Sequence, residues 1–231
     1  MAELNQPHYG GVIDPNDAND PRSRIVRLVA PGSAALEIGC GSGTIISYLA
    51  RAKGCRTLAV EPDPVMADET RALGVEVLQG AIDDAAMQEQ LAARAPFDAI
   101  ILADVLEHLR DPWAVLAAVR PWLAPGGAVL ASVPNVAHWS MRLMLLRGQW
   151  NYTDGYLMDR THLRWFTRRT LHALFTSTGY RVVDSQVRWA ALPGDRLWRR
   201  VIPGRTRLYG ALAALSPTLF GYQFVIRAEA A

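Results

Sequence analysis

The sequence predicts an α/β protein built on a doubly wound parallel sheet. Short apolar runs alternate with segments of helical period from residue 34 to residue 133. A glycine-rich turn, Gly39-Cys40-Gly41-Ser42-Gly43, joins the first run to the first helix. Acidic residues stand at the ends of the next three runs, as Glu61, Asp83 and Asp104. Such alternation implies right-handed crossovers and helices on both faces of the sheet. Strand order then reverses beside the first strand and opens a crevice at the strands' carboxyl ends.

Each element has its own reason. Ala34–Ile38 is a short apolar run ending at glycine, so it reads as a buried strand. Thr44–Ala52 carries Ile45, Ile46, Leu49 and Ala50 on one helical face. Thr57–Val60, Val75–Leu78 and Phe97–Ala103 read as the second to fourth strands. Pro64–Leu73, closed by Gly74, and Asp84–Arg94 are the helices between them. Asp111-Pro112 caps a helix that puts Trp113, Leu116, Val119 and Leu123 on one stripe. Pro125-Gly126-Gly127 then turns the chain into a fifth strand, Ala128–Val133.

Residues 134–166 break the rhythm and are rich in aromatic and histidine side chains. An irregular stretch of that length suggests a lid or binding element. Thr167 caps a helix with Leu171, Leu174 and Phe175 on one face. Tyr180–Val187 and Tyr222–Arg227 read as the last two strands. Leu208–Ile226 contains no charge, but Gly210, Pro217, Gly221 and Gln223 interrupt it, so the pattern argues against a membrane span.

The chain has 231 residues, half of them hydrophobic, which fits one domain with a real core. Residues 1–231 are therefore read as one domain, with 134–166 as a lid or binding insertion and 188–231 as a basic extension ending in the last strand. The net charge of +2 hides a split. Residues 1–159 hold 12 basic and 19 acidic side chains, a net of −7. Residues 160–231 hold 12 basic and 3 acidic, a net of +9. Such a split can mark a surface for nucleic acid, anionic lipid or an anionic substrate. Only one basic residue is lysine, Lys53, followed by Gly54-Cys55. That excludes a Gly-Lys-Ser/Thr phosphate loop and a Tyr-x-x-x-Lys pair, and leaves Lys53 the sole Schiff-base candidate. Cys40 and Cys55 form no metal-binding pattern, and a reduced, cytoplasmic protein fits them best. The polar, acidic start of the chain is no signal peptide.

The glycine turn lets the backbone bend sharply and approach a ligand. Glu61 lies where a carboxylate can accept hydrogen bonds from both hydroxyls of a ribose. A dinucleotide site is the obvious competitor, and three details oppose it. Thr44 stands where the pyrophosphate fingerprint wants its third glycine. Glu37, just ahead of the turn, would repel a pyrophosphate but attract an amino group and a sulfonium. Asp83 is placed to hold an adenine amino group, although it could also cap the helix that follows.

These residues resemble the class I S-adenosylmethionine-dependent methyltransferases. Leu36–Gly43 is similar to their first motif, Glu61-Pro62 to their ribose acid and its neighbour, and Ala81-Ile82-Asp83 to their adenine contact. Ala103–Pro112 and Pro121–Val133 resemble the following segments of the ubiquinone-biosynthesis-like branch. The resemblance covers residues 25–187. It implies a Rossmann-like, seven-stranded sheet with an antiparallel last strand, S-adenosylmethionine as donor and S-adenosylhomocysteine as product. It also implies cofactor contacts from Glu37, Gly39, Cys40, Gly41, Gly43, Glu61, Pro62, Asp83, Ala103 and Asp104.

Methyl transfer from a sulfonium is an in-line displacement, and a hydroxyl acceptor also needs help losing its proton. Candidate bases are His108, His138 and His162, with Asp104, Glu107 and Asp159; His108, His162 and Asp104 are preferred. Some relatives with Glu-x-x-Glu-His at Asp104–His108 hold a divalent metal, and many metal-free relatives keep the Glu-His pair. Structural or acid–base use is preferred here, with no metal assigned. The stretch from Val133 through Thr167 resembles a bacterial subfamily that accompanies polysaccharide and secondary-metabolite pathways, which implies a lid. His138, Trp150, Tyr152 and Arg164 are its candidate acceptor contacts. His162 and Arg164, two apart, would face one side of an extended segment; the competing reading is that both merely fix the lid. Neither cysteine suits RNA ring-carbon methylation, and Ala103-Asp104-Val105-Leu106 lacks the Asn/Asp-Pro-Pro-aromatic pattern of base-amine methylation. The expected acceptor is a small hydroxylated metabolite or sugar, anionic or bound to a carrier. The alternatives are an RNA or other anionic polymer, and a cofactor-binding partner subunit without catalysis. Arg196, Arg199, Arg200, Arg205 and Arg207, with Trp198, could serve phosphate, lipid or plain solvation.

Overall fold

The computed structural model describes residues 11–190 and 204–231. Arg196, Trp198, Arg199 and Arg200 lie outside them. The first helix is α1, Pro21–Leu28, with its N-terminus capped by Asp20. Then β1 (Ala34–Ile38), α2 (Thr44–Lys53), β2 (Arg56–Glu61), α3 (Pro64–Ala72), β3 (Glu76–Gln79), α4 (Ala85–Ala92) and β4 (Phe97–Ala103) alternate in order. They are followed by α5 (Pro112–Val119), β5 (Leu123–Pro134), α6 (Trp139–Leu146), α7 (Arg168–Ser177) and β6 (Tyr180–Trp189). The chain ends with α8 (Arg205–Leu215), α9 (Pro217–Phe220) and β7 (Gly221–Ala230).

The seven strands lie in the order β3-β2-β1-β4-β5-β7-β6. Pairing is parallel from β3 to β5, and β7 runs antiparallel to both β5 and β6. Order reverses between β1 and β4, as expected. The strand alternation divides the core between two faces. Leu36, Ile38, Ile100, Leu102, Phe224 and Ile226 pack with Leu91, Leu116, Leu174 and Phe175 of α4, α5 and α7. Ala35, Ile101, Leu130 and Val225 pack with Ile25, Ile46 and Leu49 of α1 and α2. Residues two apart on a strand share a face, which produces this division.

Three expectations change. Trp113 is 44% exposed, and the buried face of α5 is Pro112, Val115, Leu116 and Val119. The stripe shifts because α5 ends at Val119 and a 3₁₀ turn, Arg120–Trp122, follows; Leu123 already belongs to β5. The stretch 134–166 is not wholly irregular: it contains α6 and a short 3₁₀ turn at Tyr156–Met158. Lys53 is no Schiff-base candidate, since its ammonium donates to the Val26 and Val29 carbonyls and fastens the end of α1. No helix among the described residues is long and apolar enough to cross a membrane.

Candidate active site

The turn after β1 is held by backbone and by α3. Gly39 and Cys40 donate their N–H groups to the Val60 carbonyl at 2.8 and 3.2 Å. The Thr70 hydroxyl donates to the Gly41 carbonyl at 2.9 Å. Gly39, Gly41 and Gly43 all take positive φ, and Gly43 is the N-cap of α2. A Cβ on Gly43 would stand 2.7 Å from the buried Thr70 side chain, and one on Gly39 2.7 Å from Val105. Only glycine satisfies both the angle and the space.

Two acids flank this turn with different partners. Glu61 is buried, and its two oxygens accept N–H bonds from Gly41 at 2.7 Å and from Asp63 at 3.0 Å. Those bonds fix the carboxylate at the end of β2 and leave lone pairs for further donors. Glu37 is buried beneath the turn and accepts from the Ile46 N–H at 3.0 Å. Burial, only partly offset by that bond, pushes its carboxyl up to about 8. Burial pushes the Cys40 thiol up to about 12, so it is a protonated filler and no nucleophile.

Two cavities of about 470 and 450 Å³ open at the strands' carboxyl ends. The smaller is lined by Glu61, Pro62, Met66, Ala81, Asp83 and Leu163. Asp84, and not Asp83, caps α4 by accepting from the Ala86 N–H at 3.0 Å, which leaves Asp83 to the cavity. The larger cavity is lined by Glu37, Cys40, Thr44, Ala103, Glu107 and His162, and by Tyr156, Leu157, Arg188 and Tyr222. Gly39, Gly41, Asp104 and His108 line both.

Asp104 sits at this junction with φ 56, a left-handed conformation uncommon outside glycine. Its Oδ1 accepts from the Ser132 hydroxyl at 2.9 Å and from the Gln223 amide, so β5 and β7 hold it. Desolvation raises its carboxyl above the ordinary range despite those bonds. Asp104 itself is exposed to the open cleft.

Opposite stands a histidine pair. The rings of His108 and His162 meet edge to face, with centroids 4.8 Å apart. His108 Nδ1 lies 3.2 Å from the Thr161 hydroxyl. Burial, then the neighbouring His108, lowers His162 below its ordinary value, so it is neutral at pH 7 and free to accept a proton. Beneath them Glu107 is buried with neither carboxylate oxygen hydrogen-bonded. Burial raises it well above the carboxylate range. Glu107, His108 and His162 each offer a ligand atom within 4.8 Å of the others. Asp104 is not part of that group; the third donor comes from the lid.

Four expected acceptor residues stand elsewhere. His138 is buried as the N-cap of α6, with Nδ1 2.7 Å from the Ser140 hydroxyl and its ring against Tyr222. Burial lowers it to about 4, and it lines neither cavity. Trp150 and Tyr152 pack against Trp165 on the outer side of the lid. Arg164 does not share a face with His162 in the cleft. Its guanidinium donates to the Arg110 carbonyl, while the Leu163 and Arg164 N–H groups bind the Glu107 carbonyl at 2.8 and 3.0 Å. The competing reading, that Arg164 fixes the lid, fits this geometry.

Other lining residues were missed. Tyr156, with φ 68 after Gly155 at φ 96, turns into the cavity; the glycine was the available signal. Arg188 of β6 and Gln223 of β7 are register partners and reach the cleft through antiparallel pairing. Their separation in the chain gave no local cue.

A methyltransferase-domain family model matches residues 15–185. The chain belongs to that family. It is 35% identical over 111 residues to the ubiquinone biosynthesis O-methyltransferase of Xylella fastidiosa strain 9a5c. That match covers 47% of this chain and 45% of the relative, so the chain matches less than half the relative's length. The structure is similar to a SAM-dependent methyltransferase from Archaeoglobus fulgidus, with TM-score 0.59, 18% identity, and 89% of each chain covered. It is also similar to the magnesium protoporphyrin IX methyltransferase of Synechocystis PCC 6803 with bound S-adenosylhomocysteine. There the TM-score is 0.60 at 12% identity, covering 91% of this chain and 82% of that one. These likenesses establish the sheet and its topology. The chain thus carries a methyltransferase domain, for which the sequence resemblance implies S-adenosylmethionine as methyl donor. The donor set fits that cofactor: a fixed carboxylate at Glu61 for a diol, a buried one at Glu37 for an ammonium, and Gly39 and Gly41 lining both cavities.

Proposed function

We propose that the protein methylates a hydroxyl of a small-molecule acceptor held under the lid. The observation that carries this reading is the junction of the two cavities at Gly39, Gly41, Asp104 and His108. When bound, S-adenosylmethionine supplies an electrophilic methyl group. Glu61, Pro62 and Asp83 bind the nucleoside part of the donor; Glu37 and the glycine turn bind its amino-acid part. Asp104, fixed by Ser132 and Gln223, orients groups at the junction. His162, neutral and edge-on to His108, takes the acceptor's proton as the oxygen attacks, and His108 is the other candidate for that role. Tyr156, Leu157 and Tyr222 shape the acceptor side. Arg188 makes no ion pair among the described residues and supports an acceptor or carrier with negative charge. The free, buried cysteines support a reducing, cytoplasmic setting.

A labelled-methyl assay against fractionated cell extract, followed by mass spectrometry of the product, tests this. Label on a small-molecule hydroxyl supports the reading. Label confined to RNA, or no transfer while S-adenosylhomocysteine binds, favours the polymer or non-catalytic alternative.

A second reading has Glu107 in its favour. A buried carboxylate without partners beside two imidazoles suits a divalent ion. Metal in elemental analysis, with turnover lost to a chelator, supports it. Unchanged turnover with no metal found leaves the histidines acting alone.

A further inference from the structure

We propose that the outer face of the lid, from α6 to Tyr152, docks the protein on an anionic lipid surface. The helix presents its apolar residues the wrong way for a soluble protein. Met141 is its only fully buried residue, while Leu143, Leu145 and Leu146 are 38%, 52% and 84% exposed. Gly148, at φ 68, ends the helix, and every residue from Leu145 to Asp154 is exposed. Trp150 and Tyr152 extend the patch; Trp150 packs edge-on and Tyr152 at a tilt against Trp165. Seven of the twelve exposed large apolar side chains among the described residues fall between Leu143 and Leu163. Scattered apolar side chains need no explanation, but a concentrated patch marks an interaction surface.

Charge selects the occupant. Arg142 and Arg147 stand exposed on this face, and no acid occurs from Trp139 to Thr153. Arg147 makes no ion pair among the described residues, and Arg142 spends only its Nε, on the Ala137 carbonyl. Leucine tips entering the acyl boundary, tryptophan and tyrosine at headgroup depth, and arginines on anionic headgroups form an interfacial pattern. The patch also continues into the active site, because Tyr156 is 56% exposed and lines the larger cavity. Docking would set the cavity mouth close to the lipid surface, where an amphiphilic or lipid-carried acceptor could enter without crossing water.

The full chain is mixed with vesicles of equal parts phosphatidylglycerol and phosphatidylcholine, or of phosphatidylcholine alone, and sedimented. The expected result is roughly tenfold stronger binding to the anionic vesicles, weakened by salt. Leu145→Ser with Leu146→Ser should lower binding to both vesicle types about tenfold. Arg142→Gln with Arg147→Gln should remove the preference for the anionic type. S-Adenosylhomocysteine binding should stay unchanged in both variants, which reports folding and keeps this test separate from the methyl-transfer reading. Wild-type protein that ignores both vesicles, or serine variants that bind them undiminished, would overturn the proposal. So would a solution dimer that the serine variants dissolve, which would assign the face to a second copy of the chain.

Discussion

The glycine turn and the 134–166 stretch, proposed as a lid, meet in one cleft but are built on different terms. The turn is short, and its parts are adjacent in sequence or at strand ends. Glu61 reaches Gly41 from the neighbouring strand, and Thr70 closes the turn from the next helix. The lid has only a small core of its own, Met141, Leu157 and Met158, and hangs from backbone bonds such as those to the Glu107 carbonyl. The turn can thus fix a ligand without the lid, whereas the lid contributes by placing a few groups opposite it. Variants in the two regions should separate binding from turnover.

The largest effect is expected at His162. Removing a general base costs about 10³-fold in kcat. His162→Ala should therefore lose turnover on that scale while S-adenosylhomocysteine binds as before, measured by calorimetry. An unchanged kcat would remove His162 as the base and leave His108. A matching loss of cofactor affinity would show that lid and turn are not separable.

Glu61→Ala reverses the pattern. Hydrogen bonds to a charged, buried acceptor carry about 1.5–3 kcal/mol each, so losing two ribose contacts should weaken S-adenosylhomocysteine about 100-fold or more. The substitution also frees the Gly41 and Asp63 N–H groups that Glu61 accepts. Glu61→Gln keeps the shape and should recover part of the loss, which separates the ligand contact from the turn's own support.

The same contrast explains what was legible in the sequence. Glu37, Gly39, Glu61 and Asp83 line the cleft, and they were legible as candidates because sharp turns and strand-end acids leave local signatures at fixed spacing. The reversal of strand order beside β1 followed from alternation, whereas the antiparallel last strand came from the family resemblance. In the lid, residue type pointed to the wrong side: Trp150 and Tyr152 suggested a pocket but pack outside it, and His138 caps a helix. Arg188, Tyr222 and Gln223 enter the cleft only because β7 pairs between β5 and β6. No local pattern encodes that long-range register.

A smaller effect should appear as pH dependence at Glu37. Its carboxyl is pushed up to about 8, so below that pH the cofactor-free protein holds the proton. An ammonium beside it favours the ionised form. Cofactor binding should then release a proton, and affinity should rise with pH by up to about tenfold per unit before levelling above about 8. Calorimetry in buffers of different ionisation enthalpy reads this directly. The linkage to folding has the opposite sign. A folded-state value raised above the ordinary 4.5 stabilises the protonated protein. Cofactor-free stability should therefore decline as pH rises from about 4.5 to about 8. Glu37→Gln should abolish the affinity trend and remove its own share of the stability trend, leaving the share of Glu107 and Asp104, whose carboxyls burial also raises.

The smallest effect tests how the lid is tied down. Thr167 caps α7, and its hydroxyl accepts from the Thr170 N–H at 3.2 Å while Thr170 Oγ1 accepts from the Thr167 N–H at 2.9 Å. Losing such a cap costs about 1 kcal/mol. Arg164 anchors the preceding residues to the Arg110 carbonyl on an exposed surface, where one bond is worth less. Thr167→Ala should lower stability in denaturant by about 1 kcal/mol without moving cofactor affinity. Arg164→Ala should leave stability nearly unchanged but raise KM for the acceptor a few-fold, because the segment bearing His162 loses its anchor. A large rise in KM for an anionic acceptor alone, with neutral analogues unaffected, would restore Arg164 as a direct acceptor contact.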